Sequence, residues 1–303
     1  HFVIQVLESG QGADLNGDGD TGDSVWHVFD PALPVAAGNP LNTTVASTPL
    51  GLQGAAVESG FVLFESEAAA GWDRNGDGDS GDVTAFVVES ASLALTYFPV
   101  IVHAVGTPIK ARANRVLLAV DETSASADLN TDGDSVDRVL YAIDLTQSPP
   151  FVRAVGGVVP RAVGNRPFEL SDTAALYFID EATDGPFDLN NDGDNIDGIA
   201  AVFDLANNTG ENRPIATQFP SVGLAGDAGI GWATDGRFAL FAVNEADQNF
   251  RDLNGDMDWF DATLAWVDTA NPFVANLHPY ALAQKPMSAG AGRALFAVSE
   301  TLM

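Results

Sequence analysis

The sequence contains no cysteine, so no disulfide braces the fold and cysteine usage says nothing about the redox compartment. Basic residues are scarce: 13 Lys and Arg stand against 42 Asp and Glu, a formal charge of −29. Nucleic acids and anionic membranes bind through basic patches, so both are excluded as partners. No apolar run approaches the roughly 18 residues of a membrane-spanning helix. Hydrophobic residues nevertheless make up 46% of the chain, enough for a sizeable core. No stretch of useful length carries a 3.6-residue apolar period, which argues against helices. The signatures of common catalytic sites are also missing, with no Gly-x-Ser-x-Gly, His-Glu-x-x-His, P-loop or Gly-rich dinucleotide loop.

Histidine, the first candidate for acid–base work, occurs four times, as His1, His27, His103 and His278. His27 lies inside a β-rich run, where packing is the ordinary role, and His103 and His278 fall at comparable repeat positions, which points to architecture. The amine and imidazole of His1 suit copper, as in lytic polysaccharide monooxygenases, but nothing else in the chain resembles that family. Trp26, Trp72, Trp232, Trp259 and Trp266 sit at different phases of the repeat, so packing outweighs a shared sugar-binding platform. The expectation is a protein that is not an enzyme.

What the chain has in abundance is one acidic loop, written five times. Asp14-Leu-Asn16-Gly-Asp18-Gly19-Asp20-Thr-Gly-Asp23 returns from Asp73, Asp128, Asp188 and Asp252, with first positions 59, 55, 60 and 64 residues apart. Every copy keeps Asp, Asn, Asp, Asp and Asp at positions 1, 3, 5, 7 and 10, and four of the five keep Gly at position 6, Met257 being the exception. Calcium takes six to eight oxygen ligands, and alternate side chains of a tightly turning loop direct their oxygens at one centre. Position 6 then needs a positive φ that Gly adopts without cost. The bland alternative is a polar turn, since Asn, Asp and Gly are also turn residues. Five copies in register, each crowding four carboxylates into ten residues, favour a cation.

The candidate ligands are Asp14, Asn16, Asp18, Asp20 and Asp23 in the first loop, with Asp20 giving its carbonyl, its carboxylate or a water. The second loop offers Asp73, Asn75, Asp77, Asp79 and Asp82, and the third Asp128, Asn130, Asp132, Asp134 and Asp137. The fourth offers Asp188, Asn190, Asp192, Asp194 and Asp197, and the fifth Asp252, Asn254, Asp256, Asp258 and Asp261. Glu67, Glu122, Glu181 and Glu245, just before their loops, are candidates for further ligands. The loops supply 20 of the 42 carboxylates, and about five bound Ca2+ ions would bring −29 to −19. The first six positions resemble the EF-hand loop. Position 12, an EF-hand's bidentate Glu, is instead Val25, Thr84, Val139, Ile199 or Thr263, and the flanks are strand-like.

Apolar, β-rich runs precede the loops at residues 2–8, 61–67, 116–122, 175–181 and 238–245. Others follow at 25–30, 83–89, 138–144, 199–204 and 262–268. Short apolar runs bounded by turn residues read as strands, so each loop caps a β-hairpin. Being apolar at successive positions, these strands should be buried on both faces, as the middle strands of propeller blades are. Outer strands are expected at 96–105, 151–155, 214–219 and 273–277, and inner strands at 54–58, 110–113, 168–171 and 229–233. A β-solenoid is the rival, although its coils are usually shorter.

Strand, D-L-N-x-D-G-D-x-x-D and V-x-x-V-x-D together resemble the blades of TolB-like β-propellers of secreted bacterial proteins, in a variant whose hairpin loop carries calcium. Integrin α-chain propellers also carry Asp-rich calcium loops, with a different final spacing. The resemblance implies one domain, an all-β, five-bladed β-propeller with four-stranded antiparallel blades. The repeats fall at about 2–50, 51–106, 107–164, 165–227 and 228–303. Membership of a six-bladed ring is the alternative. The start at His1 and loops of a kind that fill where calcium is millimolar point to an extracellular or cell-surface location.

The functional expectation is a secreted, calcium-stabilised structural protein. A carbohydrate- or protein-binding module and a propeller hydrolase or lyase are the alternatives. Residues 293–300 repeat the strand of 237–245 and are a sixth copy of the strand with which the chain begins. A ring of five has room for five, so self-assembly into a homo-oligomer or filament through a terminal strand is a further expectation.

Overall fold

The structure, a computed structural model, describes residues 1–34, 39–47, 54–102, 109–147, 149–158, 168–171, 174–180, 188, 193, 198–205, 213–214, 232–234, 238–245, 252–259, 261–268, 271–290 and 293–298. It is all-β. Strands rich in Val, Ile, Phe and Ala form five antiparallel sheets, and helix among the described residues is confined to three four-residue turns.

The first sheet has the order β1 (Phe2–Leu7), β2 (Ser24–Phe29), β3 (Leu41–Ala46). The second runs β4 (Ala55–Val57), β5 (Gly60–Ser66), β6 (Val83–Glu89), β7 (Leu95–Val102). The third holds β8 (Lys110–Arg112), β9 (Arg115–Asp121), β10 (Arg138–Asp144) and β11 (Phe151–Val158), and the fourth β12 (Phe168–Leu170), β13 (Ala174–Asp180), β14 (Gly198–Asp204) and β15 (Arg213–Pro214). The fifth holds β16 (Trp232–Thr234), β17 (Phe238–Asn244), β18 (Ala262–Asp268), β19 (Asn271–Gly290) and β20 (Arg293–Val298). In every sheet the chain order is the spatial order. The strands flanking each loop pair directly, with Leu7 opposite Ser24, Ser66 opposite Val83 and Asn244 opposite Ala262.

The chain divides into two compact units, residues 1–116, 120–127 and 143–152, and residues 117–119, 128–142 and 153–303. In the first, the faces of the first two sheets share a core of Trp26, Val28, Val45, Leu63, Phe86 and Val88. Trp26 also donates its indole N–H to the Phe64 carbonyl at 2.8 Å, so the one polar atom of this large side chain is satisfied. Each such aliphatic or Phe side chain taken from water is worth about 1.5–3 kcal/mol. In the second unit Leu240, Ala242 and Leu264 form a corresponding cluster.

Burial on both faces holds for β5 and for β9, whose Val116 to Val120 are all fully buried. The first copy departs from it, because β1 lies at the edge of its sheet and leaves Phe2, Ile4 and Leu7 exposed. The inner strands are only three residues long, and of the expected 229–233 strand residues 229–231 lie outside the described residues. So do residues 103–105 and 215–219 of the expected outer strands. The sixth copy of the pre-loop strand is β20, and it pairs with β19 through Ala294 opposite Ala289 and Arg293 opposite Gly290. The surplus strand thus lengthens the fifth sheet from within.

Candidate metal centres

The first three pre-loop strands each run into a glutamate that heads a helical turn: α1 (Glu8–Gln11), α2 (Glu67–Ala70) and α3 (Glu122–Ala125). The turns end on residues of positive φ, Gly12, Gly71 and Ser126, which reverse the chain into the loop. Glu8, Glu67, Glu122 and Glu245 are all fully buried. In three copies the glutamate ties both ends of its loop. The backbone N–H groups of Glu8, Glu67 and Glu245 donate to the carbonyls of Asp23, Asp82 and Asp261, at 2.9, 3.0 and 2.9 Å. Their side-chain Oε1 atoms accept the N–H groups of loop positions 2 and 3: Leu15 (2.5 Å) and Asn16 (3.2 Å), Arg74 (2.8 Å) and Asn75 (3.3 Å), Leu253 (2.6 Å) and Asn254 (3.1 Å).

The two-residue spacing of the acids has a local cause. Oδ1 of position 3 accepts the N–H of position 5, as from Asn16 to Asp18 at 3.2 Å, and Oδ1 of position 5 accepts that of position 7, as from Asp18 to Asp20 at 3.1 Å. Oδ1 of Asp20 then accepts from Gly22 at 2.6 Å. The first two of these bonds recur in the second, third and fifth loops. This ladder of side chain-to-backbone turns winds the chain so that successive carboxylates share one side. Asp14 engages two N–H groups, those of Gly17 (2.6 Å) and Gly19 (3.1 Å), and Asp73 and Asp252 do the same. Both turns need positive φ: Gly17 has 85° and Gly19 103°. Met257 takes position 6 of the fifth loop at 77° with its side chain in solvent, and Thr131 takes position 4 of the third at 66°.

The carboxylates that converge are those of positions 7 and 10 in the first, second, third and fifth loops. They are joined by position 5 in the second and fifth, and by the preceding glutamate in the first, the fifth and the third, where Glu122 meets Asp134 and Asp137. Oxygens of Asp77, Asp79 and Asp82 lie within 4.8 Å of one another, as do those of Asp256, Asp258 and Asp261 together with Glu245, and those of Asp20 and Asp23 together with Glu8. Asp14, Asp73 and Asp252 stand outside these groups. Asp82, Asp137 and Asp261 are buried at the foot of their loops. Burial, a hydrogen bond with Asp18 and the charges of Asp18, Asp20 and Glu8 push the Asp23 carboxyl up to about 6. Burial, followed by a bond with Asp256, does the same to Asp261. Glu67, Asp82 and Glu245 are raised above the usual carboxylate range, first by burial and then by neighbouring acids. Four acids packed this way repel unless a divalent cation lies among them.

Of the fourth loop, Asp188 and Gly193 are described, with Gly193 N–H on Asp188 Oδ2 at 3.0 Å; Asn190, Asp192, Asp194, Asp197 and Glu181 lie outside the described residues. Two position-3 amides also reach forward: Nδ2 of Asn16 donates to the Ala69 carbonyl (3.1 Å) and that of Asn75 to the Ser124 carbonyl (3.4 Å), each in the helical turn of the next repeat. Asn75 and Asn254 also donate within their own loops, to Asp82 (2.8 Å) and to Asp256 and Asp261 (3.0 and 2.9 Å). His27 is buried with its Nδ1 on the Val25 carbonyl, and the His1 ring lies 3.4 Å from Asp30. Trp26 is core, whereas Trp72 and Trp259 are exposed beside or within their loops.

No protein-family model matches the chain, and no curated protein matches it in sequence. Among solved structures it is similar to TolB from Acinetobacter baumannii, at 10% identity over 84% of this chain and 48% of that one, with a TM-score of 0.33. It is also similar to a prolyl endopeptidase, at 13% identity over 84% and 31% and a TM-score of 0.36. The β-propeller domain of the Trilobed protease from Pyrococcus furiosus matches at 10% over 82% and 77%, with a TM-score of 0.29. The chain spans about half of the Acinetobacter protein and about a third of the endopeptidase. These superpositions are loose. What is firm is the repeated antiparallel sheet and the acidic loop at its hairpin.

Proposed function

We propose that this protein is a calcium-stabilised β-propeller with a structural role outside the cell. The observation that carries the metal is the fifth loop, where carboxylate oxygens of Glu245, Asp256, Asp258 and Asp261 lie within 4.8 Å of one another on a backbone already wound to hold them. An all-oxygen, carboxylate-rich donor set suits a hard cation, and a flexible loop of this kind suits calcium better than magnesium, which demands a tighter octahedron. The propeller reading rests on the end-to-end repeat, the meandering sheets and the stacking of the first sheet on the second. An extracellular setting follows from millimolar calcium being where such loops fill. No reaction is assigned to the chain.

The test is a thermal melt in calcium, in magnesium and in EGTA. Ligand that binds only the folded state stabilises it by roughly 2.7 kcal/mol per site at a hundredfold excess over Kd. EGTA should therefore lower Tm by many degrees, with magnesium restoring it poorly. An equal Tm in all three overturns the reading.

Self-assembly is a second reading, favoured by the apolar residues that β1 exposes, Phe2, Ile4 and Leu7. An apolar edge strand templates strand addition, and a head-to-tail contact that does not close gives a filament. Light scattering on the chain and on a Phe2→Thr, Ile4→Thr variant separates the two: concentration-dependent mass that the variant abolishes supports assembly, and a monomer at high concentration rules it out.

A further inference from the structure

We infer that the glutamate heading the described hairpins is a calcium ligand supplied from outside the loop, with Glu245 the clearest case. This rests on the calcium reading and extends it to a residue that the loop motif does not contain. Two independent observations converge. First, an oxygen of Glu245 belongs to the group formed with Asp256, Asp258 and Asp261. Second, the two oxygens of this fully buried carboxylate are used unequally. Oε1 accepts the N–H groups of Leu253 and Asn254, whereas Oε2 has no hydrogen-bond partner. A buried anionic oxygen without a donor or cation is costly, and the three carboxylates that converge with Glu245 do not donate while ionised. Nδ2 of Asn254 donates to Asp256 and Asp261 at 3.0 and 2.9 Å, and a cation is what satisfies Glu245 Oε2, which no donor reaches.

The second repeat shares the unequal use of the two oxygens, although Glu67 is not among the acids that converge there, whereas Glu8 converges with Asp20 and Asp23 and its Oε2 accepts the Asp23 N–H at 3.4 Å. Glu67 is fully buried, its Oε1 accepts the N–H groups of Arg74 and Asn75, and its Oε2 is likewise without a partner. The arrangement gives one side chain two tasks. Oε1 fixes the start of the loop, and Oε2 supplies an anionic ligand from the end of a strand. The position-1 aspartates, with their oxygens on backbone N–H groups, organise the turn. A seventh or eighth oxygen is what separates a calcium site from a magnesium site, so the glutamate should govern both affinity and selectivity.

Glu245→Gln tests this, because Gln keeps an acceptor for Leu253 and Asn254 and removes the anionic oxygen. Trp259, at position 8 of the fifth loop, allows terbium bound there to be read by sensitised luminescence, in a Trp72→Phe background that silences the second loop. Glu67→Gln, read through Trp72 in a Trp259→Phe background, is the parallel variant should the first not fold. The expected result is terbium affinity at the altered loop at least tenfold weaker, with calcium competing less well and near-unchanged circular dichroism. Unchanged affinity in a folded variant overturns the inference and leaves the calcium reading standing. A parent that binds neither terbium nor calcium overturns both.

Discussion

The guanidinium of Arg74 grips the buried carboxylate of Glu65 with two bonds, Nε to Oε2 at 2.7 Å and Nη2 to Oε1 at 3.1 Å, and stacks 4.6 Å from the centre of the Tyr97 ring. Glu65 is 1% exposed, and Arg74, about a third exposed, is the outer member of the pair. The other repeats have Val6, Val120, Ile179 and Val243 where Glu65 stands, and Leu15, Leu129, Leu189 and Leu253 where Arg74 stands. At these two positions the second repeat alone carries charged residues, one of each sign.

Arg74→Leu alone should leave the Glu65 carboxylate buried and uncompensated. Breaking a fully buried pair costs 3–5 kcal/mol, and the partial exposure of Arg74 reduces that here to about 2 kcal/mol. Adding Glu65→Val should recover most of the loss. Urea denaturation of the two single variants and the double variant measures the coupling, and strictly additive effects would show that the two residues act independently.

Met257 holds a φ of 77° at the position where the first four loops have Gly. The left-handed conformation costs an L-residue about 1 kcal/mol or more, and its N–H still bonds Asp252 Oδ2 at 2.9 Å, so the turn itself is intact. Met257→Gly should stabilise the protein by about 1 kcal/mol and tighten calcium at the fifth loop. A calorimetric titration showing weaker binding would contradict this.

The sequence carries the loops and their hairpins almost in full, because periodic acids and β-rich apolar runs are local properties. Positive φ at position 6 is legible from Gly19, Gly78, Gly133 and Gly193, and Met257 conforms by strain. What the sequence conceals is long-range. The Asn at position 3 reads as an oxygen ligand, and the further task of its Nδ2 is hidden: Asn16 donates to a carbonyl 53 residues away, and Asn75 to one 49 residues away as well as to Asp82 Oδ2 at 2.8 Å, which Asp could not do. The exposure of β1 and the folding of β20 onto β19 depend on which strand lies beside each, information that no run of apolar residues contains. Glu65 looks like one more strand-end acid until Arg74 closes on it.

Acidity should act oppositely on the metal-free and the metal-loaded protein. Asp23 and Asp261 titrate near 6 when folded without metal, above the unfolded value of roughly 3.9. Their protonated forms favour folding fully below pH about 4, and that contribution is lost as pH rises through 6. In EGTA, Tm should therefore fall between pH 5 and pH 7.5. In saturating calcium, where the ligands must be deprotonated, it should rise. Scanning calorimetry at the two pH values checks both signs, and the same trend with and without calcium would contradict the assignment of these acids to the metal centres.

Native mass spectrometry of the chain before and after exchange into chelator bears most directly on calcium as part of the fold. The expected result is a loss of mass equal to about five calcium ions, one per loop, accompanied by a broadened, higher charge-state distribution as the metal-free chain opens. A single mass that chelator leaves unchanged, with the same compact charge states, would contradict it.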